Sequence, residues 1–338
     1  MNIWNPAIFG YWFAAARSDH VNKKPLAITV LDRPIVLVRF GSGSISVFED
    51  RCPHRQVPLS HGRMTSNGLE CPYHGWTFGA DGRCTSVPGM PSEECLPQIG
   101  ARNMQVREID GLVWVRLAAV GEDTPPKMII DLPLNSRRFL WQTRWDANVL
   151  DAMENFLDPM HTHSVHPGLV RFNTQRRRTR VTISETADGF CVDYQGQSEQ
   201  SGILYRIFES PRLSERAYFA GAGTAQIEYK YKNGSVIRIT LHFTPESADR
   251  THVFATLHVE NRWAPAWAVR LFAWPLVKRV AAQDACILAL QSKNMKHFPD
   301  SCNASTKLDF VRDYLENIWK QKKKLDILSG KKHIEFFL

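Results

Sequence analysis

The chain has 338 residues, 43% of them hydrophobic, with 42 Lys and Arg against 34 Asp and Glu for a formal charge of +8. That length and apolar content suit two folded cores and exclude a disordered or fibrous chain. Seven cysteines, an odd number spread over so long a sequence, argue against a disulfide scaffold and for a reducing, cytoplasmic setting in which some thiols serve as ligands.

The opening segment carries Asn5, Pro6 and Arg17 among its apolar residues and lacks the basic lead of a secretory signal. From about residue 27 to 118, short β-type runs (AITVLD, PIVLVRF, SISVFED, GLECPYH, GLVWVRL) alternate with turn signals such as Asn67-Gly68 and Asp81-Gly82, which predicts an all-β module. The Pro-rich stretch GEDTPPKMIIDLPLNS places a boundary near 119–136, dividing the chain into domains 1–120 and 121–338. Residues 139–167 read as helical around DAMENFLD, and β-type runs then fill 176–262. Two helical stretches follow, at 265–296 and 308–323. Strands followed by helices predict an α+β second domain, an antiparallel sheet packed by helices. The most membrane-like segment, 263–282, is interrupted by Pro265, Arg270, Pro275, Lys278 and Arg279, short of the roughly 20 apolar residues of a span.

Two basic clusters, Arg171/Arg176/Arg177/Arg178/Arg180 and Lys320/Lys322/Lys323/Lys324, do not alternate with aromatics as a nucleic-acid platform would. They read as solvated faces, or as a docking patch for an acidic electron-transfer protein.

Two short segments concentrate metal-binding side chains. Cys52-Pro-His54 and Cys71-Pro-Tyr-His74 stand sixteen residues apart, each at the end of a strand-like run. A zinc finger draws its Cys pair from one arm and its His pair from the other, whereas here each arm carries one of each. In a Rieske centre two thiolates hold one iron and two imidazoles the other, so two facing mixed loops supply both; a mixed Cys/His zinc site is the competing reading. Cys84 and Cys95 are expected as free, buried thiols rather than a disulfide. The second segment is Glu154–Pro167, with His161, His163 and His166. Asp158-Pro159 is a good helix start, carboxylate cap followed by Pro at the first position. His161 and His166 would lie about 140° apart on an ideal helix, but Pro167 disfavours helical geometry at His166, so its imidazole can turn back toward the first. His163 is read as structural. An iron that must bind O2 needs open coordination positions, which a site of two His and one carboxylate leaves free. In the 265–296 helix, Val277, Val280, Ala281, Asp284, Ile287 and Leu288 form one stripe. Asp284, a lone carboxylate there, needs a metal or a buried ion pair.

At these residues a resemblance can be named. CPHRQVPLSHG and CPYHGW resemble the Rieske signature of ring-hydroxylating oxygenase large subunits, departing from it at Gln56, where the family has Gly. Respiratory Rieske proteins resemble the motif too, but carry an extra, disulfide-joined Cys in each loop. Pro53 and Tyr73 stand beside the ligands here, which implies a potential low in the roughly −150 to +300 mV range of such centres. The run Asn155–His166 is similar to the family's mononuclear-iron motif, and Gln283–Gln291 to the segment bearing its carboxylate. The resemblance implies a [2Fe–2S] cluster on Cys52, His54, Cys71 and His74; His61, Arg55 and Trp76 are read as packing or hydrogen-bonding around it rather than as ligands. It also implies an iron on His161, His166 and Asp284 in a helix-grip-like domain. Asp158 would bridge His74 of an adjacent subunit to His161, in a homotrimer. Electrons would come from NAD(P)H through a separate reductase and/or ferredoxin. The implied reaction is O2-dependent hydroxylation or demethylation of an apolar, aromatic or polycyclic small molecule, with ring cis-dihydroxylation as the alternative. An electron carrier without catalysis is the rival from another class. His242 and His258, in alternating strands, are read as satisfied histidines.

Overall fold

In the computed structural model, residues 4–338 are described except 92, 122, 127–136, 172–175, 197–201, 203–209, 262–264, 302 and 321–331. Two units result: 1–125 with Thr244–Ser247, and 126–243 with 248–338. The division falls at Pro125/Pro126, inside the 119–136 stretch, and a four-residue stretch of a later strand joins the first unit. The reason is backbone pairing. The N–H groups of Leu31 and Asp32, in a turn of positive φ, donate to the carbonyls of Pro245 and Glu246 at 2.7 and 3.0 Å.

The first unit is all-β. Strands β1 (Phe13–Arg17), β2 (Leu26–Val30), β3 (Arg33–Arg39), β4 (Ile45–Glu49), β5 (Arg63–Thr65), β6 (Gly68–Glu70), β7 (Thr77–Phe78), β8 (Cys84–Ser86), β9 (Gln105–Ile109) and β10 (Leu112–Arg116) make three antiparallel sheets, ordered β1-β10-β9, β2-β3-β4 and β5-β6-β7-β8. Alternation turns Val36, Val38, Phe48, Leu69 and Phe78 into one core, and the two ligand-type cysteines, Cys52 and Cys71, are buried in it. Each of the large side chains in that core contributes about 1.5–3 kcal/mol by leaving water.

The second unit carries one eight-stranded antiparallel sheet. Its strands are β11 (Arg137–Trp145), β12 (Arg178–Thr186), β13 (Gly189–Gln195), β14 (Arg212–Ala220), β15 (Thr224–Tyr231), β16 (Val236–Ser247), β17 (Arg250–Glu260) and β18 (Lys332–Phe337), in spatial order β11-β17-β16-β15-β14-β13-β12-β18. With its helices this is the α+β class. Residues 139–145, expected to be helical, are β strand: Phe139 and Trp141 pair with Leu257 and Ala255 of β17, and their rings pack on Trp274. Tertiary pairing outweighs helix propensity there.

The two faces of the sheet are sorted by the two-residue period of its strands. Cross-strand pairs Ile227–Ile239 and Tyr229–Ile237 fall on one face, and Thr224–His242, Gln226–Thr240 and Glu228–Arg238 on the other. The polar face is bonded internally, with Arg238 donating to Glu228 at 2.9 Å and the Gln226 amide to Thr240 at 2.7 Å. Burial holds His242 neutral down to about 3 and His258 to about 4, each with help from Arg138.

The long helical stretch of 265–296 is regular over Ala266–Ala268 and Trp274–Met295, with a π-helical segment, Val269–Ala273, between them. Pro275 has no N–H to return to the preceding turn, and the widened turn sits beside it.

Candidate metal centres

The two cysteine loops are closed by the same backbone pattern. Cys52 N–H donates to Val57 and receives, at its carbonyl, the Gln56 N–H at 2.9 Å. Cys71 N–H donates to Trp76 and receives the Gly75 N–H at 3.2 Å. The residue four after each cysteine is left-handed, Gln56 at φ +66° and Gly75 at φ +71°. The departure at Gln56 therefore keeps the loop's hydrogen bonds and adds strain, since a non-glycine residue there costs about 1–2 kcal/mol. Its side chain accepts a bond from Arg51 at 2.8 Å.

The loops bring the four predicted residues together. The His54 and His74 rings are 4.7 Å apart, and Trp76 stacks on His54 at 4.5 Å with an 8° tilt. Burial, then the adjacent Cys71, pushes the Cys52 thiol up, against the backbone N–H groups of His54 and Arg55. Two neighbouring thiols in an apolar core ionise only against bound cations, so the donor set fits a metal cluster with its sulfurs inside and its imidazoles outward. His54 is half-buried and His74 exposed. Burial, His74 and Arg55 hold the His54 ring below its ordinary pKa, favouring the neutral form a ligand needs. Arg55 and His61, expected to pack or hydrogen-bond around the cluster, are exposed, and Arg55 acts on His54 through its charge. Cys84 is buried and free, whereas Cys95, expected to be buried, is free and exposed.

The second constellation is built around a break in a helix. Asn148 caps the helix Val149–Leu157 by accepting from Leu150 N–H, and Asp158 ends it. Asp158 then caps the 3-10 turn Pro159–His161, its Oδ1 accepting from Met160 N–H at 2.9 Å. One helical turn, Thr162–Val165, follows, and His166 leaves it at φ −120°, ψ +48°, the departure that Pro167 predicts. Arg171, grouped by sequence with a surface cluster, is buried and donates to Thr162 Oγ1 at 2.9 Å, pinning this segment.

Asp284, buried in the Trp274–Met295 helix, meets both histidines. Its Oδ1 lies 3.3 Å from His161 Nε2 and 3.0 Å from His166 Nε2. One donor atom from each of the three residues lies within 4.8 Å of the others. The Nδ1 atoms settle what faces Oδ1. His161 Nδ1 is 2.7 Å from the Asp158 carbonyl, which can only accept, and His166 Nδ1 is 3.0 Å from Gln283 Oε1. In the neutral rings that a metal ligand requires, protons on both Nδ1 atoms leave lone pairs on both Nε2 atoms, beside Asp284 Oδ1. Three electron-pair donors converge, an arrangement that fits a divalent cation.

A cavity of about 270 Å³ borders these residues. Phe272, Ala273, Val277, Val280 and Asp284 form the helical side of its wall, and Ile227, Ile239 and Leu257 are on the strand side. Of the predicted stripe, Ile287 is exposed and points elsewhere, while Leu288 is buried. His163, His242 and His258 do not line the cavity. Asp158 does, and burial pushes its carboxyl up to about 6. Its carboxylate was expected on His161; the contact is made by its backbone carbonyl instead. Gln283, which sets the His166 tautomer, had no role assigned from sequence, and its position beside Asp284 was the only signal.

The basic clusters are less bare than they read. Arg178 and Arg180 both pair with Glu335, and Lys320 pairs with Glu316. Lys322, Lys323 and Lys324 lie outside the described residues. Among the described residues no helix is long and apolar enough to cross a membrane.

Comparison with known proteins matches residues 11–101 to the Rieske [2Fe-2S] domain family and 145–312 to the vanillate O-demethylase oxygenase C-terminal domain family. Among curated relatives, the chain is 30% identical over 212 residues to a 3-chlorobenzoate-3,4-dioxygenase oxygenase subunit of Comamonas testosteroni, covering 58% of this chain and 49% of that one. It is 31% identical over 155 residues to a methylxanthine N1-demethylase of Pseudomonas putida, covering 43% and 41%. The matched region spans about half or less of the length of these relatives. Among solved structures, dicamba monooxygenase bound to 3,6-dichlorosalicylic acid aligns with a TM-score of 0.77 at 20% identity, covering 93% of this chain and 97% of that one. The same demethylase of P. putida, with caffeine, aligns with a TM-score of 0.75 at 21% identity, covering 92% and 90%. These structural matches establish a shared fold. With a Rieske [2Fe-2S] domain followed by an oxygenase C-terminal domain, the chain belongs to the Rieske non-haem iron oxygenase family.

Proposed function

We propose that the chain is a terminal oxygenase component, using electrons from an NAD(P)H-dependent reductase and/or ferredoxin to hydroxylate or demethylate an apolar, aromatic or polycyclic small molecule. The observation that carries the reading is the convergence of His161 Nε2, His166 Nε2 and Asp284 Oδ1, tautomers fixed from behind, beside an apolar cavity. In this reading Cys52, His54, Cys71 and His74 hold the cluster, and His161, His166 and Asp284 hold the iron. A bound iron there supplies O2 activation.

The protein's own residues do the rest. Asp158 and Gln283 keep both Nδ1 atoms protonated and both Nε2 atoms bare, so the ligand set is ready without rearrangement. The aliphatic side chains of the cavity exclude water and hold a hydrophobic ligand against the open side of the metal site. Asp158 bridges the two centres across a subunit interface of a homotrimer. Its Oδ1 is occupied by the Met160 N–H, and Oδ2 has no partner among the described residues, leaving it for His74 of a neighbouring subunit. The free state of the six described cysteines supports a reducing, cytoplasmic location. An electron carrier without catalysis has no use for the second donor set, so that set favours the enzyme over the carrier.

The test is substrate-dependent O2 consumption with a surrogate reductase over a panel of aromatic compounds, products being read by mass spectrometry under labelled O2. One label marks monooxygenation and two mark cis-dihydroxylation. Protein holding two cluster irons and a third iron, yet consuming no O2 with any compound, would leave the carrier reading standing.

A further inference from the structure

One charged group in the cavity wall has no part in either metal centre or in the bridge between them. Glu215, on β14, is 6% exposed and lines the cavity in a row across three strands, opposite Tyr194 of β13 and Tyr229 of β15. Its Oε2 accepts from Arg212 Nη1 at 2.7 Å, and its Oε1 takes no bond from any described residue. The Arg212 guanidinium in turn lies 3.8 Å from the centre of the Tyr229 ring.

This arrangement is built by a defect in the strand. Residues three apart on a regular strand face opposite ways, so Arg212 and Glu215 should not meet. The pairing of β14 with β15 shifts register between Arg212 and Ser214, which makes Leu213 an extra residue. Leu213 is thrown outward, 66% exposed, and Arg212 takes the inward position beside Glu215. A bulge that exchanges an apolar side chain for an arginine inside an apolar wall is a device for placing the carboxylate, as bulges near sites commonly are. Arg212 fixes one carboxylate oxygen and balances the charge, and the other oxygen takes no bond from any described residue on a side chain that lines the cavity.

We propose that Glu215 is the specificity-determining anchor of the substrate. Its Oε1 accepts a hydrogen bond from an O–H or N–H on an otherwise hydrophobic ligand, so the preferred class is a phenol or an aromatic N–H compound rather than an arylcarboxylate. An anionic carboxylate would meet a like charge and would supply no proton. The proposal rests on the oxygenase reading only for what becomes of the ligand, since binding is independent of turnover.

The experiment measures dissociation constants by titration calorimetry on the oxidised, metal-loaded protein under nitrogen, with 2-naphthol, 2-methoxynaphthalene and 2-naphthoate. These probes differ only in the group offered to Glu215. Wild-type protein is expected to bind 2-naphthol about tenfold or more tightly over 2-methoxynaphthalene, the worth of a hydrogen bond to a charged acceptor, with 2-naphthoate weakest. In Glu215→Gln the amide can offer its own N–H to the methoxy oxygen, and the ratio falls to within about twofold of unity. Because that variant takes the carboxylate charge away from Arg212, the double variant Arg212→Met/Glu215→Met removes the buried pair together and is expected to lose the ratio while retaining affinity for 2-methoxynaphthalene. A wild-type ratio near unity, no binding of either neutral probe, or a ratio preserved in both variants overturns the proposal. If the ratio stands while O2 consumption is absent, the oxygenase reading fails and the anchor survives.

Discussion

Each half of the cluster site closes on itself within five residues, whereas the proposed iron site waits for a helix far along the chain, with Gln283 117 residues beyond His166. In the loops, Cys52 and Cys71 are fixed by the hydrogen bonds of their own turns, and the ligands point where the turn sends them. In the second unit, the histidines are aimed by one local feature, the break before Pro167, and by one distant feature, the helix bearing Gln283 and Asp284. The difference teaches that a site made of local turns tolerates change in the surrounding fold. A site assembled from remote elements inherits the stability of every element that carries it.

The largest expected effect breaks the comparison at the iron site. His161→Ala or Asp284→Ala should lose the third iron and all turnover, because two donors do not replace three. Both should keep the visible spectrum and acid-labile sulfide of a [2Fe–2S] cluster. Iron analysis showing three irons per chain in either variant would unseat that residue as a ligand. Next comes the bridge. Asp158→Asn should assemble both centres and lower turnover by about 100-fold, the upper end for residues that act through a ligand. Full activity in that variant would remove Asp158 from the electron path.

Acid should act on the second unit through its buried histidines. Burial, chiefly, holds His242 and His252 at about 3 and His258 at about 4. In the unfolded chain all three take up protons near pH 6.5, and in the folded chain they do not, so the unfolded state binds more protons in this window. Stability is therefore present above pH 6.5 and is lost as pH falls toward 4, with a limiting slope of about 4 kcal/mol per pH unit for three groups. Urea unfolding followed by tryptophan fluorescence at pH 7 and pH 5 reads this directly. A midpoint that does not fall at pH 5 would show these rings to be protonated or exposed.

The smallest effect sharpens the likeness of the two loops. Gln56→Gly should relieve left-handed strain and stabilise by up to about 1 kcal/mol, part of the gain being offset by the freer unfolded chain. The reverse exchange, Gly75→Gln, should be clearly destabilising, because a Cβ at Gly75 would meet Pro88 Cγ at 2.8 Å. Thermal melts of the two variants shifting in the same direction would show the loops to be less alike than their hydrogen bonds are.

Much of this architecture was written locally. The β-type runs and their turn residues determined the all-β first unit, and the mixed Cys/His arms pointed to the four cluster residues, because turns and short loops are specified by the residues within them. The break at His166 was legible for the same reason, Pro167 constraining its immediate neighbour. Asp284 stood out as one carboxylate on an apolar stripe, although Ile287, assigned to that stripe, faces solvent. What the tertiary structure alone decided is which distant groups meet. Residues 139–145 became a strand because β17 offers a partner, Arg171 turned inward to Thr162, and the contact with His161 passed from the Asp158 carboxylate to its carbonyl. Glu215 gives no signal in the sequence at all. Its place in the cavity depends on a shift of register against a neighbouring strand, and register is a property of two strands together rather than of either one.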